Sequence, residues 1–237
     1  MSRIKVVFFD AAGTLFHVKG SVAEIYLAHA GAYGVRTTPE LIAAVNSAFR
    51  RAFADAPPPI FAVNDPVELK QCERLWWFDI VHNVFYRVGM FERFDDFFDE
   101  VFQAFSAPEQ WALFPDTLGA IRALKDRGLE LGIISNFDTR LFGLLRGLGL
   151  ERYFDTVTIS SLAKAAKPSP QIFRRALEEH AVEPSEAVHI GDHLKEDVEG
   201  ARQAGLTGLL IDRGRNAVET GVLRSLADLP AAIDLLQ

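Results

Sequence analysis

The chain has 237 residues, of which 49% are apolar and 24% charged, as in folded globular proteins, and this excludes a disordered or fibrous chain. The net charge of -7 argues against a nucleic-acid partner, because phosphate backbones select basic surfaces. One cysteine, Cys72, cannot form an intrachain disulfide. Neither a leader segment nor a membrane-length apolar run is visible. We therefore expect a cytoplasmic protein without a membrane partner, as a monomer or homodimer.

Five short apolar or β-branched runs have the pattern of strands buried on both faces of a parallel sheet. In chain order they cover residues 4–9, 129–134, 156–160, 187–190 and 208–211. Helix-like segments separate the last four runs, at residues 116–127, 139–147, from 169 onwards, and at 194–204. This alternation predicts an α/β fold with right-handed βαβ units and a doubly wound, Rossmann-like parallel sheet of five or more strands.

The stretch after the first run contains no convincing strand and has several helix starts instead. Ser21 and Glu24 have the spacing of a capping box, and Thr38 and Asp65 each precede a proline at a helix start. We therefore predict an inserted all-α cap at residues 16–112.

The remaining segments, residues 1–15 and 113–237, then form the catalytic core. The predicted cap holds most of the aromatic residues of the chain. Most of these rings are expected to fill a small helical core, because large rings contribute the most burial per residue. A few are expected to face the sheet and line an apolar substrate pocket.

Polar residues follow four of the predicted strands, at the edge where open parallel sheets bind ligands. They are Asp10 and Thr14, Ser135 and Asn136, Lys167, and Asp192 and Asp197. Each one alone is more often a turn former, a helix cap or an exposed loop residue. Their arrival at one edge of one sheet is what indicates a site.

The types of residue at this edge suit phosphoryl transfer. Asp10 and Asp192 can share Mg²⁺, which prefers oxygen ligands and removes the repulsion between carboxylates. Lys167 supplies positive charge to oxygens that gain charge during transfer, and the Ser135 hydroxyl can orient a phosphate. Thr14 can fix the turn beside Asp10 through its hydroxyl. The pattern favours a Mg²⁺-dependent hydrolase of a small phosphorylated metabolite.

Four motifs resemble those of the haloacid dehalogenase (HAD) superfamily, which consists mostly of phosphatases. They are Phe9-Asp10-Ala11-Ala12-Gly13-Thr14-Leu15, Ile134-Ser135-Asn136, Lys167-Pro168-Ser169-Pro170, and Ile190-Gly191-Asp192 with Asp197. The resemblance covers essentially the whole chain and is closest to the branch of HAD-like hydrolase domain-containing proteins. It implies an α-helical cap after the first motif.

The resemblance also implies residue roles, with Asp10 attacking phosphorus to form an aspartyl-phosphate. The implied catalytic residues are Asp10, Ser135 and Lys167. The implied metal ligands are Asp10, the Ala12 carbonyl, Asp192 and Asp197, of which Asp197 supports the metal shell. The implied substrate-binding residues are Thr14, Ser135, Asn136 and Lys167.

Position 12 departs from the phosphatase pattern, which has a second Asp there as general acid and base. Ala12 can do neither, and such help is typically worth ~10²–10⁴-fold in rate. One interpretation is a phosphatase that uses good leaving groups or borrows another acid. His17 and His193 lie close to the motifs, although each has the pattern of an exposed loop histidine.

Three alternatives remain open. Phosphonoacetaldehyde hydrolases also carry Ala at this position but need a cap lysine, and residues 16–112 offer only Lys19 and Lys70, with Arg50-Arg51 in the expected area. Haloacid dehalogenases also lack the second Asp, but they need no metal, whereas Asp192 and Asp197 here point towards one. The third alternative is a weakly catalytic protein that binds a phosphorylated ligand.

Overall fold

A computed structural model of the chain describes residues 3–214 and 222–236. The described strands are β1 (Val6–Phe9), β2 (Phe16–Val18), β3 (Trp111–Leu113), β4 (Glu130–Ser135), β5 (Thr156–Ile159), β6 (Ala187–Gly191), β7 (Thr207–Ile211) and β8 (Val222–Leu223). Six of them form one parallel sheet in the order β5-β4-β1-β6-β7-β8, and β2 and β3 form a separate antiparallel ribbon.

Helices flank the sheet and fill the insertion. The described α-helices are α1 (Val22–Ala30), α2 (Pro39–Asp55), α3 (Pro66–Val88), α4 (Phe94–Ala104), α5 (Thr117–Asp126), α6 (Arg140–Gly147), α7 (Ser160–Ala163), α8 (Pro170–His180), α9 (Gly200–Gln203) and α10 (Leu229–Asp234). A π-helical turn, Leu194–Glu199, leads into α9. Within the described ranges, no helix combines the length and apolarity needed to cross a membrane.

The sheet brings distant strand ends to one edge. Phe9 of β1 pairs in register with Ile133 of β4 on one side and Ile190 of β6 on the other. Because all three strands are parallel, Asp10 and Asp192 leave the sheet at the same edge. The strand order also changes direction at β1, and the crevice at such a switch point is where open α/β sheets bind ligands.

The predicted α/β class and parallel sheet are confirmed. All five predicted strands form, with small shifts at their ends. The sixth strand, β8, was not predicted, because two residues carry too little pattern to be recognised. The helix predicted at residues 194–204 begins as a π-helical turn, Leu194–Glu199, which is wider than a turn of α-helix.

The prediction of a purely helical insertion was wrong at its two ends. Phe16 of β2 pairs with Leu113 of β3, and Val18 pairs with Trp111. The chain therefore leaves the sheet and returns to it through one short antiparallel ribbon. Strands of three residues show no alternation long enough to distinguish them from loop.

Helices α1 to α4 enclose a hydrophobic core of their own, separate from the clusters on the two faces of the sheet. Phe97 is fully buried at its centre. Its ring centroid lies 5.0 Å from that of Phe85 and 5.1 Å from that of Phe91, and both pairs are edge-to-face. This geometry is the one that aromatic quadrupoles favour.

We expect Phe97→Ala to lower the free energy of unfolding by about 3–5 kcal/mol, because it opens a cavity that rigid rings cannot fill. Urea denaturation measures the loss. Tyr86→Ala is the matched control, since that ring is 74% exposed and its removal should cost less than about 0.5 kcal/mol. Equal losses in the two variants would contradict a separate aromatic core.

Candidate active site

A buried ammonium group joins two of the predicted motifs. Lys167, just before α8, places Nζ 2.7 Å from Oδ1 of Asp10 and 2.5 Å from Oδ1 of Asp197. Burial disfavours the charged ammonium, but the two carboxylates outweigh burial and raise the pKa of Lys167. The lysine therefore stays protonated beside Asp10 at any pH near neutrality.

Asp197 holds this ammonium in place and is itself held by the protein. Nε2 of His189 lies 3.0 Å from Oδ1 of Asp197, and the backbone N–H of His193 donates to Oδ2 at 2.9 Å. Burial alone would raise the pKa of the Asp197 carboxyl, but the Lys167 charge and the His189 hydrogen bond lower it well below its usual range. Gly191 permits this approach, since a Cβ there would lie 2.1 Å from Cγ of Asp197.

Asp192 packs directly on the loop that carries Asp10. Gly13 has φ of +91°, and a Cβ at this position would lie 2.4 Å from Oδ2 of Asp192, so only glycine fits. Thr14, predicted as a substrate contact, is fully buried and is not among the described residues that line the cavity. Its hydroxyl instead lies 3.5 Å from Oδ1 of Asp192.

The carboxylates at this edge fit a divalent cation. Asp10, Asp192 and Asp197 each offer an oxygen within 4.8 Å of the others. Burial, together with repulsion from the other two, raises the pKa of Asp192 to about 6. A cation would remove this repulsion. Both oxygens of Asp197 already accept protein hydrogen bonds, so Asp10 and Asp192 are the more available ligands.

Ser135 and Asn136, neighbours at the end of β4, have different surroundings. Ser135 lines the cavity, and among the described residues its hydroxyl has no hydrogen-bond partner. The Asn136 side chain accepts from the Lys167 backbone N–H at 2.7 Å and donates to the Lys167 carbonyl at 2.9 Å. Asn136 therefore fixes the lysine loop, and Ser135 has a hydroxyl free for a ligand.

A cavity of about 870 Å³ lies between this edge and the inserted helices. Asp10, Ser135 and Lys167 are among the residues that line it. His17 and His193 also lie on its wall, and both are exposed. The volume falls in the range typical of small-molecule sites.

Polar contacts that were not predicted tie the inserted helices to the loop after β4. Nε1 of Trp77 donates to Oδ2 of Asp138 at 2.6 Å, and Arg140 pairs with the same oxygen at 2.6 Å. Glu73 accepts from the backbone N–H of Thr139 at 3.0 Å. The sequence does show Asp138 and Arg140 shortly after the second motif, but their partners in the inserted helices lie more than 60 positions away in the chain.

Replacing Lys167 tests the charge balance of the site. We expect Lys167→Met to lower the free energy of unfolding by about 3–5 kcal/mol, because it leaves buried carboxylates without a cation. Urea denaturation without added metal ions measures this loss, with Lys195→Met, an exposed lysine on the π-helical turn, as the control. A Lys167 variant as stable as the control would show that the ammonium does not balance these charges.

The chain resembles known hydrolases over nearly its full length. The family model described as haloacid dehalogenase-like hydrolase matches residues 4–205. The protein named "Haloacid dehalogenase-like hydrolase domain-containing protein 3" from Danio rerio is 32% identical over 241 residues, which cover 97% of this chain and 96% of that protein.

Two solved structures share the fold at low identity. L-2-haloacid dehalogenase from Xanthobacter autotrophicus superposes with a TM-score of 0.68 at 20% identity, covering 98% of each chain. The HAD-hydrolase YfnB from Bacillus subtilis, bound to magnesium, gives a TM-score of 0.71 at 16% identity over 98% of this chain and 100% of that one. The family match and the relative in Danio rerio confirm the resemblance seen in the motifs, and the chain belongs to the haloacid dehalogenase-like hydrolase family.

Proposed function

We propose that this HAD-like hydrolase is a Mg²⁺-dependent phosphatase of a small phosphorylated metabolite, with Asp10 as the nucleophile. The observation that carries the proposal is the Asp10 carboxylate at the switch point of the sheet, held at 2.7 Å by the Lys167 ammonium inside a ligand-sized cavity. A carboxylate so placed is oriented by the ammonium group and open to a substrate on its cavity side.

The residues of the chain suggest how the transfer proceeds. A carboxylate oxygen of Asp10 attacks phosphorus, the bond to the leaving oxygen breaks, and water later hydrolyses the aspartyl-phosphate. Lys167 remains protonated and stabilises charge on the phosphoryl oxygens. Ser135, whose hydroxyl is free, donates to one of those oxygens.

The metal would complete the charge balance. Asp10, Asp192 and the Ala12 carbonyl would hold Mg²⁺. Asp197 would support the metal site indirectly, because its ion pair fixes the Lys167 ammonium beside Asp10. When bound, the ion screens the approach of an anionic nucleophile to an anionic phosphate. The magnesium bound by YfnB, which has the same fold, supports this assignment. Thr14 would then position Asp192 instead of contacting substrate.

The alternative chemistries have less support from the cavity. Neither Lys19 nor Lys70 is among the described residues that line it, and the guanidinium of Arg50, which does line it, cannot form the imine of a phosphonatase. A metal-independent dehalogenase would have no need for Asp192, whose pKa is raised by burial and by repulsion from the other carboxylates.

The first test removes the nucleophile. We expect the wild-type protein to hydrolyse 4-nitrophenyl phosphate with Mg²⁺, to stop with EDTA, and to lose activity by at least about 10³-fold as Asp10→Asn, because an amide oxygen is not an effective nucleophile. Release of nitrophenolate measures the rate. Retained phosphate-analogue binding without turnover in the wild type would instead indicate a binding protein, and chloride release from a haloacid without metal would indicate a dehalogenase.

The second test restores the missing acid. If Ala12 limits the reaction of poor leaving groups, Ala12→Asp should raise kcat for alkyl phosphates by about 10²-fold or more, because general acid catalysis becomes available. The gain should be smaller for 4-nitrophenyl phosphate, which needs little protonation. An unchanged ratio of the two rates would mean that another group, such as His17 or His193, already protonates the leaving oxygen.

A further inference from the structure

The cavity that Asp10 lines is also lined by aromatic rings from three of the inserted helices. We call this surface the aromatic wall: Phe49 and Phe53 of α2, Trp76 and Trp77 of α3, and Phe98 and Phe102 of α4. Because Asp10 and these rings line the same cavity, we expect the leaving group of a phosphate ester bound at Asp10 to contact them.

The aromatic wall is preformed. Phe53 stacks on Phe49 at a centroid distance of 5.8 Å and meets Trp76 edge-on at 5.9 Å. Trp76 in turn meets Trp77 edge-on at 5.0 Å. Although Phe53 touches these neighbours, its surface is still 44% exposed. A ligand could therefore cover more apolar area without rearranging the rings.

The tryptophans offer ring surface and no hydrogen-bond donor to a ligand. Nε1 of Trp76 donates to the Pro57 carbonyl at 2.7 Å, and Nε1 of Trp77 donates to Asp138 at 2.6 Å. Where a hydroxyl-rich leaving group such as a sugar covered these two rings, it would lose water without gaining a hydrogen bond from either indole, which is costly. An aromatic leaving group would instead gain ring contacts and apolar burial.

Ala12 gives an independent indication of the leaving group. With no carboxyl at this position, the leaving oxygen receives no proton from the first motif. An alkoxide leaves poorly under such conditions, whereas an aryl oxide leaves well because its ring spreads the negative charge. Both the chemistry at Ala12 and the shape of the cavity therefore select for an aromatic leaving group.

We propose that the substrate of this site is an aryl phosphate, a phosphate monoester of an aromatic hydroxyl whose ring packs on the aromatic wall. This inference rests on the proposed phosphatase function. In the step concerned, the bond between Asp10 and phosphorus forms and the bond between phosphorus and the aryl oxygen breaks. The aryl oxide leaves with the bonding electron pair and takes a proton from water.

The test compares substrates that differ in ring area but little in leaving-group acidity. The specificity constant kcat/KM is measured with Mg²⁺ for phenyl phosphate and 2-naphthyl phosphate. Acetyl phosphate, a reactive substrate without a ring, serves as the reference for phosphatase activity. We expect the wild-type protein to prefer the naphthyl over the phenyl ester by roughly tenfold, which corresponds to the contacts of one added ring.

The variants Phe53→Ala and Tyr86→Ala test whether the preference for the naphthyl ester arises at the aromatic wall. Phe53→Ala should bring the naphthyl-to-phenyl ratio close to one, because it removes the exposed face of the aromatic wall. Tyr86→Ala removes an exposed ring of α3 that is not among the described cavity-lining residues, and the ratio should stay as in the wild type. Thermal melting checks that both variants are folded.

The outcomes separate this inference from the proposed function. Turnover of acetyl phosphate with equal constants for the two aryl esters would overturn the aryl-phosphate inference and leave the phosphatase standing. An unchanged ratio in a folded Phe53→Ala would overturn it as well. If none of the three substrates were hydrolysed in a Mg²⁺-dependent manner, both proposals would fall together.

Discussion

The site depends on one buried ammonium between two carboxylates. Lys167 is 3% exposed, yet it stays charged because Asp10 and Asp197 lie within 2.7 Å of its nitrogen. Burying charge is costly unless it is paired and hydrogen-bonded, and here Asp197 is also held by His189 and by the backbone N–H of His193. Asp192 adds a further carboxylate, and burial together with repulsion from Asp10 and Asp197 raises its pKa. This repulsion is the electrostatic reason for which we propose a divalent ion here.

The fold brings these charged residues together because the ends of neighbouring parallel strands lie at the same edge of the sheet. Parallel pairing of β1 with β4 and β6 puts three motifs at one edge, and the loop before α8 adds the lysine. Two glycines then let side chains approach the backbone more closely than any Cβ would permit, Gly13 for Asp192 and Gly191 for Asp197. Rigid elements therefore hold the reactive groups, as precise chemistry requires.

The inserted helices contribute a different kind of chemistry. Their rings make a core around Phe97 and also present the aromatic wall to the cavity. Contacts of Trp77 with Asp138 and of Glu73 with Thr139 join the helices that carry this wall to the loop after β4, at the sheet edge where Asp10 lies.

The sequence by itself determined the sheet, the order of its motifs and the convergence of Asp10, Lys167 and Asp192, because strand patterns and motif spacing are local properties and parallel pairing follows from them. Only the tertiary structure decided that the Thr14 hydroxyl contacts Asp192 and that the Asn136 amide is hydrogen-bonded to the Lys167 backbone. It also decided which rings line the cavity. It also decided the β2–β3 ribbon and β8, which are too short to show a pattern. Each of these depends on the direction of one side chain or on a partner far away in the chain, and no periodicity in the sequence encodes either.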